Sequence, residues 1–230
     1  MKQIVTHAIV LSRFNYGEAD RIITVITSEQ GKLKLLARGV RKIKSKLSGS
    51  VELFSVSTLT YIKGKSEINT LISGKLQSYF SDILEDFERT TLGYEVLKAI
   101  NKATQDNPES EYYHLLLQTL IYLNDIHINL NLVKCWFFAN LLKIQGHELN
   151  TRTDIDGKKL SQEFRYNYNL NEQVFYVYEN GDFQANHIKL LRLLTKNDPT
   201  KLQLIMGKTK YLKDISTLLS NVIKIYLSYS

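Results

Sequence analysis

Residues 21 to 37 read RIITVITSEQGKLKLLA, two β-branched or aliphatic stretches on either side of a polar turn. Arg21 to Thr27 reads as a strand, Glu29-Gln30-Gly31-Lys32 as the turn, and Leu33 to Ala37 as the returning strand. Upstream, Val5 to Phe14 alternates, with Val5, His7, Ile9 and Leu11 on one face and Thr6, Ala8, Val10 and Ser12 on the other. Downstream, Val51 to Ile62 (VELFSVSTLTYI) is a long strand candidate ending at the turn Lys63-Gly64-Lys65-Ser66, and Glu67 to Leu76 is a fifth. Five strands within the first 80 residues, with no helical period between them, predict a small closed barrel. The five-stranded OB-fold is the first candidate, closure removing the exposed edges. An SH3-like barrel has a similar strand count.

Near Ser81 the apolar period changes from 2 to about 3.6. Ile83, Leu84, Phe87, Tyr94 and Leu97 form one stripe of a helix starting there. The only prolines follow Asn107 and Asp198, each pair reading as an N-cap and first helical residue, and they open helices over Glu109–Asn124 and Thr200–Met206. Leu130 to Ile144 (LNLVKCWFFANLLKI) is apolar nearly all round, the pattern of a central buried helix. A last helix from Tyr211 aligns Leu212, Ile215, Leu219, Val222 and Tyr226. Between these helices, Gly146 to Asn186 carries Gly157, the run Phe164-Arg165-Tyr166-Asn167-Tyr168, and an Asn180-Gly181 turn that signals a hairpin. The expected class is α+β: an OB-fold barrel over residues 1–80, then a mostly helical domain over 81–230 with a small irregular insertion at about 146–186.

At 230 residues, 43% hydrophobic and 23% charged, the composition is that of an ordinary soluble globular protein. No apolar run approaches the ~18 residues of a membrane span. The first residues lack the apolar run and cleavage site of a secretory signal, so a cytoplasmic location is the expectation. A single cysteine, Cys135, excludes an internal disulfide and any multi-cysteine zinc site. Catalytic constellations are weak. Gly64-Lys65-Ser66 and Gly207-Lys208-Thr209 resemble the end of a phosphate loop, but the required earlier glycines are Leu59 and Leu202. His7, His114, His127, His147 and His187 are scattered, with no pair spaced to share a metal on one helix face. Cys135 reads as a small buried hydrophobe, and Asp82 with Glu85 as a solvated helix face. The chain reads as a non-enzyme with no cofactor and no metal.

Charge supplies the positive signal. Residues 1–80 hold 13 Lys+Arg against 5 Asp+Glu, residues 81–160 hold 8 against 12, and residues 161–230 hold 9 against 6. The whole of the +7 excess therefore belongs to the barrel segment, which suggests a polyanionic partner. Its densest part is Arg38-Gly39-Val40-Arg41-Lys42-Ile43-Lys44-Ser45-Lys46, with no acid among five cations. Such a loop can line cations along a phosphate backbone. Arg21, Lys32, Lys34, Lys63 and Lys65 lie on neighbouring strands or turns and extend the track. Phe14 and Tyr16 offer rings for stacking on bases, although core packing is their first reading.

Tyr16-Gly17-Glu18-Ala19-Asp20-Arg21-Ile22-Ile23, Gly31-Lys32, Ala37-Arg38-Gly39-Val40-Arg41-Lys42 and Ser45-Lys46 resemble the N-terminal signature of the bacterial RecO family. The resemblance is specific over residues 16–46 and extends to the layout of the whole chain. It implies a bacterial, cytoplasmic, nucleoid-associated DNA-repair mediator that binds single- and double-stranded DNA and anneals complementary strands. With RecR, such a protein helps RecA replace single-stranded-DNA-binding protein on gapped DNA, without cofactor turnover. Many members carry four cysteines holding zinc in the small insertion, whereas residues 146–186 here contain none. Packing of Phe164, Tyr166, Tyr168, Val174, Phe175 and Tyr176 is expected to replace the metal. Members also bind the acidic, apolar C-terminal tail of single-stranded-DNA-binding protein through the helical body. Lys134, Lys143, Lys189, Arg192 and Lys196 are the cations that could rim such a pocket.

Two other readings fit the residues. An RNA-binding OB module of a ribosome- or tRNA-associated factor has the same lysine-rich loop, because 2′-hydroxyl contacts leave no sequence mark. A protein-only adaptor would use the basic module to dock an acidic partner. Membrane association is not expected, since the basic segment is β-like rather than an amphipathic helix.

Overall fold

The computed structural model describes residues 2–64, 67–104, 110–206 and 209–228. Two compact units divide the chain, Met1–Asp125 and Ile126–Ser230.

The first unit is built on β1 (Gln3–Tyr16), β2 (Asp20–Thr27), β3 (Gly31–Ala37), β4 (Ser55–Ile62) and β5 (Ile68–Tyr79), closed into a barrel in the order β1-β2-β3-β5-β4. All neighbours are antiparallel except β3 and β5. Stepping across partners from Phe14 leads through Ile22, Leu36, Thr70 and Ile62 to Gln3, on β1 again but eleven residues earlier. That stagger tilts the strands and closes the sheet. The result is the OB-fold expected from the alternation.

The barrel interior follows the period of 2. Ala8, Val10, Ile23, Val25, Leu35, Ala37, Leu59, Tyr61 and Leu71 fill it, and Val40 and Val51 join the same cluster. The opposite face of β1 and β2 is buried as well at Ile9 and Ile26, which stand opposite one another. Helices pack on that face, so these strands read as continuous apolar runs. The fourth strand starts at Ser55, later than the sequence suggests. Ser48–Val51 forms a 3₁₀ turn, and Phe54 turns the chain with φ of 56°.

The first helix also starts late. Ser81–Glu85 is a 3₁₀ turn, and Asp86 then caps α1 (Phe87–Ala103) by accepting from the Arg89 amide at 2.8 Å. The buried stripe is consequently Leu92, Val96, Leu97 and Ile100, while Leu84, Phe87 and Tyr94 are exposed. A side chain at Gly93 would put its Cβ 2.7 Å from the Phe54 ring, so glycine permits the close approach of helix to barrel. In α2 (Ser110–Asn124), Leu115, Leu116, Thr119, Leu120 and Leu123 are buried. Its expected Asn107-Pro108 start lies outside the described residues. Two cations cap the helices of this unit. The buried Arg89 donates to the carbonyls of Leu123 and Asp125 at 2.8 and 3.0 Å. Lys32 donates to those of Asn101, at 2.9 Å, and Thr104. Positive charge at a helix C-terminus is favourable on both counts, as a donor and against the dipole.

The second unit is organised around α3 (Leu130–Ile144), the expected buried helix, with α4 (Ala185–Leu194), α5 (Pro199–Met206) and α6 (Leu212–Ser228). Asp198 caps α5 as its sequence predicts, accepting from the Lys201 amide at 3.0 Å and from the Thr200 hydroxyl. Those hydrogen bonds hold the Asp198 carboxyl down at about 2. Cys135 is buried against α6, and desolvation pushes its thiol up to about 12.

The insertion contains the hairpin β6 (Tyr166–Asn169) and β7 (Val174–Val177). Its loop is residues 170–173, not the Asn-Gly pair, with Gln173 at φ 56°. Asn180-Gly181 makes a second turn that returns Phe183 to bridge Tyr166 on the other side of β6. Tyr166, Phe175 and Phe183 form the buried centre, with Phe175 ring-to-edge against both others and against Tyr168. Phe164, expected in that packing, is exposed because it precedes the strand.

Candidate nucleic-acid interface

The basic segment follows β3 directly and is pinned at both ends. Val40 is buried in the barrel and Leu47 packs beside it, so the chain between them must arch outward. Asp20 accepts from the Gly39 amide at 2.7 Å, and Ala19 accepts from the Arg41 amide at 2.9 Å. The loop is thereby fixed to the β1–β2 turn. Gly39 takes φ of 63°, the left-handed conformation that glycine adopts without strain. Consecutive turns follow, with Ser45 bonding Lys42 and Ser48 bonding Ser45.

Arg38, Arg41, Lys42, Lys44 and Lys46 are all exposed on this loop. Among the described residues none of the five sits in an ion pair. Arg41 also donates to the Gly17 carbonyl at 3.4 Å, which holds its guanidinium by the β1–β2 turn. The other predicted cations differ. Arg21 lies by the barrel mouth, 3.8 Å from Glu52, which also pairs with Arg13, and it bonds Asn15. Lys34 faces Glu67 across the β3–β5 pairing at 3.6 Å. Lys63 is exposed at the start of the β4–β5 loop. Lys32 is committed to capping α1, and Lys65 lies outside the described residues. In OB-folds the β2–β3 face and the loops β1–β2 and β4–β5 are where oligonucleotides bind. The five loop cations, Lys34 and Lys63 border that face.

Phe14 and Tyr16 are 69% and 52% exposed, against the expectation of core packing. The cause is a β-bulge. Val10 opposes Val25 and points inward, but the pairing slips by one residue between Val10 and Ser12, so Arg13 rather than Ser12 opposes the inward Ile23. One extra residue reverses the facing of everything beyond it. Phe14 then stands opposite Ile22 on the outer face, and Tyr16 opposite Asp20, the anchor of the basic loop. Ile43 is likewise fully exposed between Lys42 and Lys44.

In the second unit, Arg152, Arg192 and Lys196 rim a cavity of about 250 Å³ floored by Ala139, Leu191 and Leu219. Arg192 donates to the Thr151 carbonyl at 3.0 Å, and Glu148 stands on the same rim. Lys189 lines a neighbouring cavity, and Lys134 lies over the Phe138 ring, 5.8 Å from its centroid.

A zinc in the insertion needs soft or imidazole donors gathered on one centre. Residues 146–186 contain no cysteine, and their one buried carboxylate, Asp154, accepts from the amides of Asp156 and Lys158. Among the described residues no group of three or more His, Cys, Asp or Glu is arranged to hold a metal. The residues present do not fit a zinc.

Among the described residues no helix is long and apolar enough to cross a membrane. Two family descriptions match the chain: "Recombination protein O N terminal" over residues 1–80 and "Recombination protein O C terminal" over residues 84–229. Similar proteins carry the name DNA repair protein RecO. That of Syntrophomonas wolfei is 31% identical over 143 residues, 62% of this chain and 56% of its own. That of Halalkalibacterium halodurans is 34% identical over 118 residues, 51% of this chain and 46% of its own. That of Thermodesulfovibrio yellowstonii is 35% identical over 119 residues, 51% of this chain and 48% of its own. The chain spans about half the length of the curated relatives it matches.

Proposed function

The chain belongs to the recombination protein O family, and on that premise we propose that it is a DNA-repair mediator acting through the basic loop of its barrel. It binds single- and double-stranded DNA, anneals complementary strands and, with RecR, helps load RecA onto DNA coated by single-stranded-DNA-binding protein. The observation that carries the reading is the set of Arg38, Arg41, Lys42, Lys44 and Lys46, exposed, without acidic partners among the described residues, on a loop anchored to the barrel. Lys63, exposed on the β4–β5 loop, extends the site, and Lys34 and Arg21 border it with Glu67 and Glu52 beside them.

Two DNA strands repel through their phosphates. A protein that neutralises both lowers that barrier without pairing bases itself, which requires cations that are not already neutralised. Phosphate contacts carry no base information, so sequence preference is weak. The reaction needs no bond broken in a substrate, and the role is that of a mediator rather than an enzyme. In the second unit, the cavity rimmed by Arg152, Arg192 and Lys196 has the apolar floor and cationic rim that an acidic, apolar C-terminal tail requires, and we assign the tail of single-stranded-DNA-binding protein to it.

The test is fluorescence anisotropy with labelled single-stranded DNA across a salt series, beside a variant with Arg38, Arg41, Lys42, Lys44 and Lys46 changed to Ala. The expected result is a steep salt slope in the parent, reduced by roughly 3 to 4 in the variant if each cation meets one phosphate. Equal binding by both proteins moves the DNA site off the loop. Absence of binding by either overturns the reading.

A further inference from the structure

We propose that Phe14 and Tyr16 form a base-stacking platform that makes the barrel site selective for single-stranded over double-stranded DNA. The inference rests on the DNA-binding reading of the basic loop. It adds a second element to that site, one that recognises bases rather than phosphates.

Phe14 and Tyr16 project from the same outer face of β1, because the bulge at Leu11 reverses the strand after Val10. Neither ring has an aromatic or cationic partner among the described residues, and the Tyr16 hydroxyl has no hydrogen bond there. Two large rings left in water on a sheet face lose burial that packing would otherwise provide. They are fixed in position nonetheless. Phe14 stands opposite Ile22 and Ile22 opposite Leu36, both half-buried, so Phe14 ends an apolar row across β1, β2 and β3. Tyr16 stands opposite Asp20, whose carboxylate holds Gly39 at the start of the basic loop. Arg41 reaches the carbonyl of Gly17, the residue after Tyr16.

Rings and cations therefore meet at one turn, and this pairing of features decides the class of ligand. A duplex presents phosphates but keeps its base faces stacked inside, so it can use the cations only. A single strand presents both, with its phosphates on Arg41 and its neighbours and its bases on the rings. Residues i and i+2 of a strand lie ~7 Å apart, about twice the ~3.4 Å rise between stacked bases. One base can enter between the rings. Stacking engages the face of a base and leaves its pairing edge open, so a strand held this way is still able to meet its complement.

The experiment compares the protein with F14L/Y16L, a double variant that keeps apolar character at two exposed positions. Three labelled probes of equal length are used in anisotropy at fixed salt: a single strand, the matching duplex, and a single strand with abasic sites that keeps its phosphates. The parent binds the single strand tightest. The variant loses about 25-fold on the single strand, from about 5-fold per ring, and binds duplex and abasic probes as the parent does. F14W/Y16W, which keeps both ring faces, retains the parent's order of affinities. An unchanged single-strand affinity in F14L/Y16L overturns the platform while leaving the phosphate track standing. So does an equal loss on all three probes. Failure of the parent to bind any probe overturns the phosphate track itself. On a fourth probe, the same strand as RNA, a ring-dependent preference over the DNA strand would assign the same platform to RNA and overturn the DNA assignment.

Discussion

The carboxylate of Asp20, at the start of the second strand, accepts the backbone amide of Gly39, nineteen residues later, at 2.7 Å. Asp20 also closes the turn from Tyr16, to which it is paired. A single half-buried carboxylate thus joins the stacking residues, the hairpin and the first turn of the cationic loop. A mobile loop with the same five charges would spend part of its binding free energy on its own ordering.

Replacing Asp20 by Ala removes the acceptor and leaves the Gly39 amide without its partner. The variant is expected to lose about 1–2 kcal/mol in urea unfolding, and trypsin should cut within residues 38–46 faster than in the parent. Asp20→Asn, which keeps an acceptor oxygen, should lose less on both measures. Equal cleavage rates in all three proteins would show that the bond does not hold the loop.

Lys32 should separate from its basic neighbours by experiment. Its amine is bonded to the Asn101 and Thr104 carbonyls at the end of α1. Lys32→Met is expected to lower stability by about 1–2 kcal/mol, leaving the salt slope of DNA binding as it was. Lys34→Met should do the reverse, since Lys34 is exposed beside Glu67 and holds no helix. A lower salt slope for Lys32→Met would place its amine on phosphate.

Gly181 lies against the Tyr166 backbone, where a Cβ would come within 2.5 Å of its carbonyl. Backbone cannot step aside as a flexible side chain does. Gly181→Ala should therefore cost about 3 kcal/mol in the second unit and loosen the Tyr166–Phe175–Phe183 centre. Near-ultraviolet circular dichroism of the tyrosines would report it. A neutral substitution would mean that the turn rearranges at little cost.

Asp198 sets an acid-side dependence. Its carboxyl is held at about 2, against 3.8 as its ordinary value, first by the Thr200 hydroxyl and then by the Lys201 amide. The ionised form is favoured in the folded protein. The stability it contributes is complete above about pH 4 and is lost as pH falls toward 2. Asp198→Ala should cost about 1 kcal/mol at neutral pH and flatten the acid limb of stability against pH. Asp198→Asn still caps α5, so it should keep most of the neutral stability while losing the same pH dependence.

The barrel was legible because its information is local. Alternation through Ala8, Val10, Ile23, Val25, Leu35, Ala37, Leu59 and Tyr61 is a property of neighbouring residues, and the interior contains those positions. The Asp198-Pro199 cap and the apolar helix Leu130–Ile144 are legible for the same reason. The apolar period places the start of the first helix a turn early, since Ile83 and Leu84 continue it into a 3₁₀ turn that ends at the Asp86 cap. Turn chemistry points to Asn180-Gly181 as the hairpin loop, but that pair closes the next turn, and long-range pairing to Tyr166 decides which.

For the candidate site, sequence alone determined that five cations would stand together, because their density within nine residues cannot be buried and must face water. Only the tertiary structure decided which charges are free. Lys32 meets α1 some seventy residues away, and Glu52 reaches Arg13 and Arg21 across the barrel mouth, both relations set by how the strands close. The facing of Phe14 and Tyr16 was decided in the same way. A period-2 reading carried from Val10 points them inward, and one extra residue in the β1–β2 pairing turns them out. A bulge is a mismatch between two strands, and no property of one strand's own sequence contains it.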